Sequence, residues 1–123
     1  KVVIGTVEGD VHDIGKSLVV SMLLANGFEV YDVGRDAPTA KFIDKVKEVG
    51  ADVVGSSALL TTTMEKQKEI EEELKKAGLR EKVKTIVGGA PCNEPWAKRI
   101  GADAYAENAV EGVRKIQELT GLV

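Results

Sequence analysis

Five short runs, the first four bearing β-branched residues, each followed by a loop and then by apolar residues at helical spacing, organise the 123-residue chain. Residues 1–6 are the first run, and Leu18, Val19, Met22, Leu23 and Ala25 recur at helical spacing over residues 15–26, before Gly27. Residues 29–32 predict a second strand. Residues 40–49 predict a helix with Phe42, Ile43, Val46 and Val49 on one stripe and Gly50 as its stop. A third strand at 52–56 leads through a polar loop to a charged helix at 64–77, with Met64, Ile70 and Leu74 facing inward. Strand 83–87, helix 94–100, strand 102–106 and helix 109–119, which Asn108 would cap, complete five β-α units.

Strands alternating with helices of these lengths must be parallel and joined by right-handed crossovers, which puts helices on both faces of the sheet. The expected architecture is therefore α/β: a flavodoxin-like, Rossmann-like sheet of five parallel strands in the order 2-1-3-4-5. That order reverses between strands 1 and 3, and ligands bind beyond the carboxyl ends of strands at such a switch point. The loops at residues 7–15, 56–63 and 88–95 are then the ones to search, and they are also polar and glycine-bearing.

Composition narrows the partners. A chain that is 43% hydrophobic and 30% charged has the makings of one core, so residues 1–123 are expected to form a single domain. Seventeen basic against twenty acidic residues give a net charge of −3 with no concentrated basic stretch, so nucleic acid is not an expected partner. The longest nearly unbroken apolar segment, residues 18–25, is far too short to span a membrane, and the chain reads as soluble and cytoplasmic. A single cysteine, Cys92, excludes an internal disulfide. With one histidine it also excludes the usual three or four protein ligands of zinc.

That histidine, His12, stands in the first loop between Asp10 and Asp13. It reads either as an ordinary surface imidazole or as a ligand whose second nitrogen Asp10 holds, the arrangement that leaves the outer nitrogen basic and aimed outward. One side chain does not hold a free metal ion. If His12 binds a metal, that metal arrives already wrapped in a macrocycle, a haem or a corrin. Aromatic residues make up only 4% of the chain, and the three loops offer only Trp96 at their margin, so a corrin is the better match. Gly88-Gly89 reads alone as a turn after strand 4.

Together, Asp10-x-His12-x-x-Gly15, 41 intervening residues, Ser57-x-Leu59, 28 intervening residues and Gly88-Gly89 resemble the three-part signature of cobalamin-binding domains across essentially the whole chain. The run Gly9-Asp10-Val11-His12-Asp13-Ile14-Gly15-Lys16 is most similar to the methyltransferase branch: the corrinoid proteins of methanol and methylamine systems and the matching domain of methionine synthase. The resemblance implies a cobamide whose own lower base has left cobalt, with His12 in its place as the metal ligand (base-off, histidine-on). Asp10 would bind the far nitrogen of His12, and Thr63 would extend the hydrogen-bond chain toward solvent. These three would be the catalytic residues. Val11, Asp13 and Ile14 would flank the cofactor. Ser57 would hydrogen-bond the displaced base, Leu59 and Thr61 would line its slot, and Gly15, Gly88 and Gly89 would leave it room.

The function so implied is a methyl carrier in which cobalt shuttles a methyl group while His12 leaves and rejoins the metal, taking a proton as it leaves. It would be the corrinoid subunit of a methyltransferase system rather than a complete enzyme. Its partners would be a substrate:corrinoid methyltransferase, a corrinoid:acceptor methyltransferase and a reductive activator. Members of this branch usually carry a helical cap domain ahead of strand 1, so the resemblance implies either a fragment of a longer polypeptide or a cofactor left open on its upper face. Two corrinoid alternatives are a domain of an adenosylcobalamin-dependent isomerase and a non-catalytic cobalamin sensor. A receiver domain shares the strand order but needs an aspartate after strand 3, where this chain has Ser56-Ser57. A flavin site would need aromatics, and a dinucleotide site Gly-x-Gly-x-x-Gly, in the first loop.

Overall fold

A computed structural model describes residues 1–121 of the chain. In chain order its elements are β1 (Val2–Thr6), α1 (Ile14–Ala25), β2 (Val30–Asp32), α2 (Thr39–Val49), β3 (Val53–Ser57), α3 (Glu65–Lys76), β4 (Lys84–Gly88), α4 (Glu94–Ile100), β5 (Ala104–Ala106) and α5 (Ala109–Thr120). The strands form one parallel sheet in the order β2-β1-β3-β4-β5, as the alternation predicts. A short 3-10 turn, Arg80–Lys82, that the sequence reading did not anticipate precedes β4. Gly50 (φ 65) ends α2 in the left-handed region, where a side chain would be strained. Asn93 and Asn108 cap α4 and α5, their side chains accepting from Trp96 N (2.8 Å) and Glu111 N (2.9 Å).

The period of two along each strand separates two cores. Val3, Val7 and Val54 face α2 and α3, where Phe42, Ile43, Val46, Ile70 and Leu74 bury their stripes. Val2, Ile4, Val53 and Ile86 face the other way, toward Leu23 of α1 and Val113 and Ile116 of α5. Trp96, Ala97 and Ile100 of α4 pack with Val87.

Register then fixes what stands at each depth of the sheet. Thr6, Ser57, Gly88 and Ala106 pair at the carboxyl ends, and Ile4, Gly55, Ile86 and Ala104 pair one layer deeper, on the same face. On this face α1 departs from a simple amphipathic helix. Ile14 is 86% exposed and Leu18 and Leu24 more than half, while Lys16 and Leu23 are its buried residues. The sequence stripe suggested that Leu18 would be inward. It is not: Val19 and Leu23 take the packed face of α1, and Leu18 lies off it, 53% exposed.

Candidate functional site

The β1–α1 loop is built around a buried carboxylate. Asp10 is fully buried and accepts four hydrogen bonds. Its Oδ1 accepts from the backbone N–H of His12 (3.0 Å) and lies 2.7 Å from His12 Nδ1. Its Oδ2 accepts from Leu59 N (2.7 Å) and Thr63 Oγ1 (2.8 Å). One side chain thus joins the loop after β1 to the loop after β3, across the point where the strand order reverses. The loop is fixed from behind by Thr6 Oγ1 donating to the His12 carbonyl (3.0 Å) and by Gly9 N donating to Asp36 Oδ1 (2.8 Å).

These contacts decide the state of the site. Burial alone would raise the Asp10 pKa, but the Leu59 N–H, the His12 ring and backbone and the Thr63 hydroxyl outweigh it and lower the pKa from 3.8 to about 2. Asp10 is therefore a carboxylate at neutral pH and can only accept. The proton of a neutral His12 ring must then sit on Nδ1, which leaves Nε2 with a free lone pair. The His12 side chain is 52% exposed, so this lone pair belongs to an accessible ring.

Thr63 lies behind this contact, away from the surface. Its residue is only 5% exposed, and its hydroxyl has a second acceptor, the Leu60 carbonyl, at 3.0 Å. The turn that brings Thr63 N to Leu60 O (3.0 Å) folds the side chain inward. With its single proton donated to Asp10, the hydroxyl keeps the Leu60 carbonyl only as an alternative acceptor, so the hydrogen-bond chain from His12 through Asp10 ends at this buried hydroxyl.

Beside His12 a cavity of about 690 Å³ runs between the sheet and helices α1 and α5. Such a volume lies within the range of about 300–1,000 Å³ typical of ligand pockets, and a close-packed core would have filled it. Its lining includes Val11, His12, Asp13, Ile14, Gly15, Ser57, Leu59, Gly88 and Gly89 from the sequence-predicted set. Asp10 and Thr63 stand behind the ring instead. Thr61 is exposed and lies outside the lining, on the same turn that buries Thr63.

Four elements contribute a lining position without a side chain: Gly15 of α1, Gly55 of β3, Gly88 of β4 and Gly112 of α5. Gly55 and Gly112, with Ile4, Val19, Ile86 and Ile116, extend the slot one layer below Ser57 and escaped the sequence reading. A glycine within an otherwise regular strand and another within a helix were the available signals. Gly89 serves differently. With φ at 122, a Cβ there would lie 1.8 Å from the Ala58 carbonyl oxygen, so the close approach of the two loops admits only glycine. Lys16, also in the lining, is buried against Asp32 with both carboxylate oxygens within 2.9 Å.

A largely apolar slot beside one orientated imidazole fits a ligand that brings its own metal ring and a tail. Among the described residues no cluster of three or more histidine, cysteine or acidic side chains could hold a metal ion. No helix there is long and apolar enough to cross a membrane.

Comparison with known proteins agrees with this reading of the slot. A family model for the B12 binding domain matches residues 1–114. A dimethylamine corrinoid protein of Methanosarcina barkeri is 61% identical over 118 residues, which is 96% of this chain and 55% of that protein. The crystal structure of a cobalamin-binding protein from Desulfitobacterium hafniense superposes with a TM-score of 0.93 at 46% identity, covering 96% of this chain and 58% of the other. The methanol:cobalamin methyltransferase complex MtaBC of Methanosarcina barkeri contains a chain with a TM-score of 0.88 at 34% identity, covering 98% and 46% respectively. The chain thus spans about half the length of the relatives it matches. By the match over residues 1–114 and the relatives at this level of identity, the chain belongs to the B12-binding domain family, and its cofactor is a cobamide.

Proposed function

We propose that the protein carries a methyl group on a cobamide bound with its lower base displaced and His12 as the cobalt ligand. The observation that carries this is the Asp10–His12 contact of 2.7 Å at the rim of the slot, which leaves Nε2 free at an accessible edge. When bound, the cofactor supplies a cobalt centre that takes a methyl group from one partner and gives it to another.

The residues of the chain divide the rest of the work. His12 provides a neutral nitrogen donor, and Asp10 holds its Nδ1 proton. If the imidazole is released from the metal, its Nε2 is freed while the Nδ1 proton stays held on the Asp10 carboxylate. Ser57, half-buried at the outer layer, offers a hydroxyl to the displaced base, and the side-chain-free positions of four elements admit the tail. The partners that fit this role are a substrate:corrinoid methyltransferase, a corrinoid:acceptor methyltransferase and a reductive activator. The structure of MtaBC, a complex named for methanol:cobalamin methyl transfer, supports the first of these.

The deciding experiment is the absorption spectrum of the reconstituted chain. His12→Gly should retain much of the cobamide and convert a histidine-on spectrum to a base-off, histidine-off one. A spectrum that does not change on this substitution would refute the ligand assignment. An adenosyl group on cobalt in protein isolated from its source would instead favour an isomerase or sensor role.

A further inference from the structure

Behind the slot, on the opposite face of the sheet, lies a buried amide outside the sequence signature. Gln67 is 1% exposed, on the inward stripe of α3 formed by residues 67, 70, 71 and 74. Its Nε2 lies 3.1 Å from the Ser56 carbonyl and 3.2 Å from the Gly88 carbonyl, so each of its two N–H bonds has one acceptor. Those carbonyls belong to neighbouring strands, β3 and β4, at the level where Ser57 and Gly88 line the cofactor slot. The amide oxygen accepts from Trp96 Nε1 (2.9 Å) and faces Cys92 Sγ at 3.3 Å.

We infer that Gln67 is a positioning residue for the slot: by tying the carboxyl ends of β3 and β4 together, it sets the opening through which the nucleotide tail of the cobamide enters. This inference rests on the reading of the slot as the tail's site. Trp96 and Cys92 fix the orientation of the amide. With a donor on the oxygen side, the NH2 group must face the strands, and a flipped amide would set NH2 against the indole N–H and oxygen against two carbonyls. Burial pushes the Cys92 thiol up to about 11 despite its contact with Gln67, which keeps it a protonated donor at neutral pH. A buried apolar replacement would leave the backbone bond from Ala58 N to Gly88 O (3.1 Å) between the two strand ends but would remove the side-chain bridge that reinforces it.

The test compares cobalamin with cobinamide, a corrinoid that lacks the nucleotide tail, by absorbance titration of the wild-type chain, Gln67→Met and Trp96→Phe. The wild type should bind cobalamin at least tenfold tighter than cobinamide; equal affinities there would overturn the slot reading itself. Gln67→Met, close in volume but without donors, should weaken cobalamin about tenfold and change cobinamide less than twofold, with the histidine-on spectrum of either bound corrinoid unaltered. A wild-type ratio in the variant, or an equal loss for both ligands, would overturn the positioning role while leaving the slot intact. Trp96→Phe keeps an aromatic ring and loses the pyrrole half of the indole with the donor that orientates the amide. It should lower the ratio about threefold in the same sense, and it decides the matter if Gln67→Met does not fold. An unchanged ratio in that case counts against Gln67.

Discussion

Replacing Asp10 by asparagine tests the centre of the site without changing its shape. In the native loop both carboxylate oxygens face donors only: His12 N and Nδ1 on one side, Leu59 N and Thr63 Oγ1 on the other. Asparagine has one oxygen, so its NH2 must face one of these pairs. Turned toward Leu59, it opposes a backbone N–H. Turned toward His12, it forces the ring to accept at Nδ1, which puts the proton on Nε2 and abolishes the free lone pair. Either choice leaves a backbone N–H facing a donor, at a cost of about 1–3 kcal/mol, and removes the charge from the surviving bonds. The lowering of the Asp10 pKa from 3.8 to about 2 measures the same bonds in another way, about 2.5 kcal/mol at roughly 1.4 kcal/mol per unit. The two estimates agree on a loss of about 2–3 kcal/mol at pH 7, or roughly 8–12 °C in Tm for a chain of this length. The native pKa is depressed, so this stability is fully present above about pH 4, the unfolded value, and is lost as pH falls through about 2. Urea unfolding of both proteins from pH 7 to pH 2 should show the gap closing over that acid range, with no change in m. A gap below about 0.5 kcal/mol at pH 7, or one that persists undiminished at pH 2, would refute the reasoning.

Two further predictions follow from the slot and the chemistry behind it. Gly112→Leu places a side chain where a Cβ alone makes ordinary contacts with Ala106 (3.5 Å) and Val19 (3.7 Å). Removing a mid-helix glycine should hold or raise stability by about 1 kcal/mol, while calorimetry should show cobalamin binding weakened about tenfold or more and cobinamide spared. Cys92, 4% exposed and with its thiol raised to about 11, should resist alkylation at pH 8 in the folded chain and react readily in urea, as read by mass spectrometry.

How much of this could be read from the sequence depended on whether a residue acts through its local pattern or through a partner distant in the chain. The five strands and helices follow from period and punctuation, and their parallel order follows from connection lengths, so the carboxyl-end loops could be located before any coordinates. The separate positions of His12, Ser57 and Gly88 form a signature because each closes a β-α unit, and the switch point brings such closures together. Gln67 and Lys16 escaped because a helical stripe was read by its apolar members. Polar residues were assigned outward, yet Gln67 is buried once all its hydrogen-bonding groups are used, and Lys16 once Asp32 pairs with it. Gly55 and Gly112 escaped for the opposite reason, since their contribution is missing volume and periodicity does not register an empty position. Ile14, Leu18 and Val110 show the same limit: more than half exposed though apolar, with Ile14 in the lining and Val110 next to it. A core rule assigns such residues inward, and for Ile14 the cavity it lines is the reason it is not. The parts of the site that sequence reading misses are thus those that shape space for a ligand, whereas the parts it finds are those that touch the ligand with a specific atom.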